Sequence, residues 1–373
     1  MRALLLTTLC AACGFQPGGA SSADDAGLHD SAGRDGAIDA VRDATLPANC
    51  FGTGFTVVCP AVLPTTPLNI TVTTSILTDT GSSACALLSP PNDAVCVIAG
   101  STVNISSFLS AKGQRPLVVL SLGTLDVPGE IDVNSLKNAS GAGYTGVGCT
   151  GTAPTVTGGG GYGGSFGSNG GNGGATVPPG GIAGDAFVPT ALRGGCPGGA
   201  GKDSSAFVGL GGGAVALLAV GSISVLGTIN ASGTFGGAAI VDHSGGNGGG
   251  TGGMIALDGT SITVGANTEI FANGGGGGGG ESSGGLAGTN GKNPTKTNTG
   301  GQGGAGGGSS GGNGGAGATL NDATRDPVDA ERGDDASSTG GQGGGGGGFG
   351  VIKVLKAALP SAIDLLRFSP RPS

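Results

Sequence analysis

Residues 116–135 read PLVVLSLGTLDVPGEIDVNS, and residues 214–233 read AVALLAVGSISVLGTINASG. At an offset of 98 the two stretches align without a gap, pairing Gly123 with Gly221, Leu125 with Ile223, Val127 with Val225 and Ile131 with Ile229. A third copy, MIALDGTSITVGANTEIFANG at 254–274, follows with small insertions and pairs Ile223 with Ile262, Val225 with Val264, Ile229 with Ile270 and Ala231 with Ala272. Apolar residues fall at every second position and are mostly β-branched or leucine, the pattern of half-buried strands. In the second copy three short strands centre on Val215/Leu217, Ile223/Val225 and Ile229/Ala231. Gly221 and Gly227 stand at the corners between them, where a positive φ is cheap only for glycine. About 20 residues folding as three short strands make one coil of a parallel β-helix, and one coil cannot bury its inward face alone, so coils must stack.

Working outward, PLNITVTT (67–74) and VIAGSTVNIS (97–106) carry the same rhythm, Val351-Ile352-Lys353-Val354 resumes a strand, and Ala362–Phe368 adds a further candidate. The expected fold is therefore all-β, a right-handed parallel β-helix (solenoid) with long glycine-rich loop insertions. A β-sandwich is the rival, disfavoured because similar segments recur around outsized insertions.

Glycine supplies 88 of the 373 residues; thirteen lie before residue 141 and none after 350. The excess concentrates in three insertions, about 140–212, 234–252 and 275–348. Collagen is excluded, since no strict three-residue glycine period holds and proline numbers only 19. Two readings of the insertions stand side by side: flexible loops, or packed extended chains with polyproline-II-like geometry whose backbones approach closely. The expectation is a partly ordered first insertion and a largely mobile 281–340.

The amino terminus reads as an address. Met1-Arg2 is a short positive region and Ala3–Ala12 is apolar, too short to span a bilayer, so 1–12 is expected to be a secretory signal peptide. Leu9-Cys10-Ala11-Ala12-Cys13-Gly14 resembles a bacterial lipobox and makes Cys13 the lipidation candidate, although Cys10 stands where Leu is usual. Residues 13–48 carry Asp24, Asp25, Asp30, Asp35, Asp39 and Asp43 among Ala, Gly and Ser, and read as a lipid-anchored disordered acidic tether. Residues 49–96 are expected to form a disulfide-bonded β-rich collar, and 97–373 the β-helix. Six cysteines remain after Cys10 and Cys13; six allow 15 connectivities, of which the near-neighbour set Cys50–Cys59, Cys85–Cys96 and Cys149–Cys196 is favoured. No C-x2-C pair or nearby His supports a zinc site.

The remaining chemistry is sparse. With 16 Lys+Arg against 24 Asp+Glu, the net charge of −8 repels phosphates and speaks against a nucleic-acid partner. Gly209–Ala214 (GLGGGA) fits a dinucleotide loop in form, but no helix pattern follows and no acid stands about 20 positions on, so no nucleotide or other cofactor is expected. Gly201-Lys202-Asp203 and Gly291-Lys292-Asn293 fail the phosphate-loop pattern. Asp242-His243-Ser244 holds triad residue types, but three consecutive side chains cannot form one relay. An acidic run gives metal candidates Asp322, Asp326, Asp329 and Asp334, with Glu331 and Asp335 nearby. It lacks the nonapeptide calcium repeat, and a solvated loop is the preferred reading, so no metal is expected. Glycosidases and lyases need paired carboxylates on one face; Asp126, Glu130 and Asp132 are the candidates, but their counterparts Ser224, Thr228 and Asn230 mark these as outward polar positions.

Several stretches carry a resemblance: GGGGYGG (158–164), LRGGCPGG (192–199), 209–233 and 252–280. They look like a family of glycine-rich bacterial surface lipoproteins, common in myxobacteria and loosely called PE-PGRS-like. The likeness covers about 116–373, including the closing SPRPS. It implies a fold and a surface location but no reaction. Mycobacterial PE-PGRS proteins open on a helical PE domain, to which nothing here corresponds.

The expected function is a non-catalytic cell-surface scaffold or adhesin on the outer membrane, held by its lipid anchor and contacting polysaccharide, matrix or other cells. A carbohydrate-active β-helix enzyme is the alternative, and a passive surface spacer the second. If Cys13 is the acceptor, labelled palmitate will enter the wild-type chain in a bacterial host and be absent from Cys13→Ala; equal labelling of both overturns the assignment.

Overall fold

A computed structural model describes residues 49–85, 94–175, 180–241, 243–320, 327–328, 330–337, 340–358 and 364–373. The expected signal peptide, Cys13 and the expected tether up to residue 48 lie outside the described residues.

Sixteen of the strands lie in three parallel sheets, and successive strands visit the sheets in turn. β1 (Leu68–Ile70) and β2 (Thr74–Leu77) come first. β3 (Cys96–Gly100), β4 (Val103–Ile105) and β5 (Phe108–Lys112) follow, then β6 (Leu117–Ser121), β7 (Leu125–Val127) and β8 (Glu130–Asp132). β9 (Gly151–Thr152) and β10 (Ile182–Ala183) are a small antiparallel pair inside the first insertion. The pattern resumes with β11 (Ala214–Ala219), β12 (Ser222–Val225), β13 (Thr228–Asn230), β14 (Met254–Asp258), β15 (Ser261–Val264) and β16 (Glu269–Phe271). β17 (Thr319–Leu320) and β18 (Pro327–Val328) pair antiparallel, and β19 (Val351–Leu355) and β20 (Phe368–Ser369) close the series. The sheet orders are β1-β4-β7-β12-β15, β2-β5-β8-β13-β16-β20 and β19-β14-β11-β6-β3.

The registers follow the repeat: Leu125, Ile223 and Ile262 share a rung, as do Val127, Val225 and Val264, and Ile131, Ile229 and Ile270. These rungs point inward and make one continuous core with Leu109, Leu117, Val119, Val215, Leu217, Ile255, Leu257 and Phe368. The three middle strands of the third sheet are buried on both faces, which is why they read as unbroken apolar runs, LVVLS, AVALLA and MIALD. Its outer face carries Val118, Leu120, Ala216, Leu218 and Ala256, covered by Val58, Phe166, Leu192 and Cys196. The corner glycines need space rather than a positive φ. A Cβ on Gly227 would stand 1.8 Å from the Gly129 carbonyl oxygen, and neither Gly221 nor Gly227 is in the left-handed region.

The collar boundary drawn at 96/97 falls inside the parallel sheets. β1 already pairs with β4 and β2 with β5, and Cys96 opens β3.

All three insertions leave at the same step, after a second-sheet strand (β8, β13, β16) and before a third-sheet strand (β11, β14, β19). They therefore meet at one corner, where their extended chains pack as a hydrogen-bonded array. Residues 245–253 show its rule. Gly245, Gly248 and Thr251 donate their N–H to the carbonyls of Lys202, Gly199 and Cys196; Gly246, Gly249 and Gly252 to Gln342, Gly345 and Gly348; Asn247, Gly250 and Gly253 to Gly237, Thr234 and Ala231. Each successive amide turns to a different neighbour and every fourth returns to the first. That is the consequence of three residues per turn in a polyproline-II-like chain. The numbering shows that two neighbours run antiparallel and one parallel. Residues 274–281 obey the same rotation, donating to Ala318, Gly315 and Gly312, to Gly250, Asn247 and Ser244, and to Lys292 and Thr289.

The expectation that 281–340 is largely mobile is overturned for the described residues. Thr289, Gly291, Gly301, Gly304, Gly307, Gly312 and Gly315 all donate into the array. Glycine is required there because neighbouring backbones occupy the place of a side chain. A Cβ on Gly248 would lie 1.7 Å from the Tyr162 carbonyl oxygen, and one on Gly343 1.7 Å from that of Asn313.

A Cβ on Gly146, by contrast, would have nothing within 4 Å, and Gly146 has no positive φ. Gly248→Ala is therefore expected to destabilise the protein by about 1–3 kcal/mol through overpacking, and Gly146→Ala to change stability by less than about 0.5 kcal/mol. Denaturant unfolding of both variants checks this; equal effects would contradict the array.

Candidate functional site

The first sheet buries one face and presents the other. Its outward positions run in register as Asn69, Asn104, Asp126, Ser224 and Thr263. All five are exposed or half-buried. Strand pairing sets about 4.8 Å between rungs, so short amide, carboxylate and hydroxyl groups form a straight polar ladder on a rigid sheet. A second outward row, Ser222 and Ser261, lies beside it.

The second sheet carries the other acids. Glu130, Thr228 and Glu269 share one outward row, and Asp132 and Asn230 share the next. Asp126 and Asp132 therefore stand on different sheets, whereas Glu130 and Asp132 stand two residues apart on one strand. Asp132 faces Lys112, whose ammonium lies 3.9 Å from its Oδ1 and donates to Asn134 Oδ1 at 2.7 Å. Burial raises the Asp132 pKa, against the opposing pull of Lys112 and of the Asn134 N–H. Burial also raises Glu130, with Asp132 adding to the effect, and lowers Lys112 although Asp132 opposes it. Desolvation outweighs attraction within this cluster on both sides of the pair.

The array has its own polar edge. Where no further chain is available, side-chain oxygens take the place of a neighbour's carbonyl. Asn172 Oδ1 accepts from Ala183 N at 2.8 Å, Asn290 Oδ1 from Ala238 N at 2.9 Å and Asn313 Oδ1 from Gly306 N at 2.9 Å; the buried Asn247 does the same inside the array, its Oδ1 accepting from Gly201 N at 2.7 Å. Motif reasoning on the sequence does not single out these asparagines. Their signal is the spacing of non-glycine residues at every third position, as in Gln302/Ala305 and Asn313/Ala316.

The remaining candidates fall as follows. Disulfides join Cys50 to Cys59, Cys85 to Cys96 and Cys149 to Cys196. Arg193 braces the last of these: it donates to the carbonyls of Val147 (2.8 Å) and Thr145 (3.1 Å) and stacks on Phe166 and Phe187. Asp322, Asp326 and Asp329 lie outside the described residues. Asp334 is a structural acceptor, taking a hydrogen bond from Asn313 Nδ2 at 2.9 Å. No group of three metal-ligating side chains occurs among the described residues. Gly209–Gly213 belong to the array and Ala214 opens β11, so this stretch leads into a strand and not a helix. Lys202 pairs with Asp203 at 3.7 Å. His243 lies in a turn at φ 57°, and Asp242 is outside the described residues. No described helix is long and apolar enough to cross a membrane. Comparison with protein-family models, curated proteins and solved structures finds no match.

A raised folded-state carboxylate pKa means that the folded chain holds the proton more tightly than the unfolded one. Asp132 and Glu130 therefore contribute stability that is present below the unfolded carboxylate range and lost as pH rises through their folded values. Asp132→Asn is expected to flatten the decline of Tm across that range. An unchanged Tm–pH profile contradicts the assignment.

Proposed function

We propose that the three-sheet architecture is a right-handed parallel β-helix, and that the mature chain is a non-catalytic scaffold or adhesin displayed on a bacterial cell surface. In this reading Cys13 carries the lipid, residues 13–48 lift the folded part away from the membrane, and the partner is a polysaccharide, matrix or neighbouring cell. The reading rests above all on the in-register ladder Asn69–Asn104–Asp126–Ser224–Thr263. Such a ladder offers donors and acceptors at fixed intervals to a hydroxyl-rich polymer lying across the strands. Its groups cost little entropy to use, because the sheet beneath them is already rigid and short side chains have few rotamers to lose. The glycine array stiffens the corner from which loop tips project.

The test uses the full-length mature protein against a panel of polysaccharides, scoring retention and depolymerisation together. Retention without cleavage is expected. The triple variant N104A/D126A/S224A is expected to keep the parental Tm and lose about tenfold or more in affinity, since each lost hydrogen bond is worth about 0.5–1.5 kcal/mol. Depolymerisation, or retention indifferent to the triple variant, would contradict the reading.

A further inference from the structure

A second polar feature lies away from the ladder, at the end of the second sheet. There β16, the turn at 296–299 and the short 3-10 turn Asp364–Arg367 enclose a cleft of ≈350 Å³. Its walls include Glu269, Lys296, Thr297, Asn298 and Arg367. The volume falls within the roughly 300–1,000 Å³ of small-molecule sites. Its lining is polar, which suits a ligand made of hydroxyls and charge.

The frame of the cleft is fixed. Asn273, fully buried, donates through Nδ2 to the carbonyls of Lys296 (2.8 Å) and Thr297 (3.3 Å). Its Oδ1 accepts from the Ser369 hydroxyl, next in the chain to Phe368, which packs in the core. Thr299 N closes the turn onto the Lys296 carbonyl at 3.2 Å. Lys296 and Arg367 both line this cleft, and among the described residues neither side chain makes an ion pair or hydrogen bond. The chain carries 24 acids and 16 Lys+Arg, and here two cations share a cleft with one acid, Glu269.

We propose that this cleft is a subsite for a carboxylate-bearing sugar of an acidic polysaccharide. Arg367 and Lys296 receive the carboxylate, and an arginine fork matches its two oxygens. Glu269 accepts from a sugar hydroxyl, and Asn298 and Thr297 supply further polar contacts. This inference rests on the polysaccharide-binding reading above and narrows its ligand.

The experiment measures calorimetric binding of an oligogalacturonate, and of the neutral oligogalactan made from it by carboxyl reduction, to the full-length protein and to K296Q/R367Q. Wild type is expected to prefer the acidic chain at least tenfold, and the double variant to lose that preference at the parental Tm. K296R is expected to retain it. Should the double variant fold poorly, K296Q and R367Q singly are each expected to lose part of the preference. Equal affinity of wild type for the two chains overturns the subsite, as does a preference that survives loss of both cations. If neutral polysaccharides are retained but the preference is missing, only the subsite falls; if no polysaccharide binds at all, the broader reading falls with it.

Discussion

The glycine-rich insertions depend on one contact, repeated: a glycine N–H donating to the carbonyl of a neighbouring extended chain that a side chain would keep away. Fixing a residue's backbone costs about 1–2 kcal/mol, and glycine is at the expensive end. One such hydrogen bond returns about 0.5–1.5 kcal/mol net. The array is therefore close to balance by itself and needs to be held in place. Close packing helps, because each chain has neighbours on several sides. It also makes the arrangement intolerant, since a methyl group at Gly248 or Gly343 would fall on a neighbour's carbonyl oxygen.

The stacked sheets supply the missing support. Both ends of each insertion are strands of the parallel sheets, so the chains enter and leave the array at set positions. The transition is continuous: Gly213 N donates to Val133, Gly253 N to Ala231 and Gly350 N to Ala272. Cys149–Cys196 ties two points of the first insertion, a sequence separation of 47. By chain entropy such a link removes roughly 4 kcal/mol of unfolded-state freedom. Cys196 also sits in the array, accepting at its carbonyl from Thr251 N and donating its own N–H to Thr251 Oγ1. The same rigidity underlies the polar ladder of the first sheet and the cleft at the end of the second. In both, short polar groups are presented by backbone that has already been ordered.

The sheets are legible in the sequence because a stacked repeat writes its register as an alignment. Leu125, Ile223 and Ile262 match in the sequence and share a rung in space. The array is only half legible. Its composition fits a flexible linker as well as a packed lattice, and the partners of 245–253 lie in three separate segments, near 196–202, 231–237 and 342–348. The period-three spacing of non-glycine residues carries the distinction locally. The acids mislead in one dimension: Asp126 and Asp132 are six residues apart, but Pro128-Gly129 turns a corner between them, so they face different ways. The cleft is invisible in the sequence because Glu269, Lys296 and Arg367 share no local pattern and meet only through the fold.

Amide hydrogen exchange followed by mass spectrometry on the full-length protein tests the array most directly. If each amide is held by a neighbouring chain, peptides covering 244–253, 272–281 and 341–348 will exchange as slowly as the core strand 214–219. Exchange of these peptides at the rate of an unstructured glycine chain, with the strands still protected, would contradict the account.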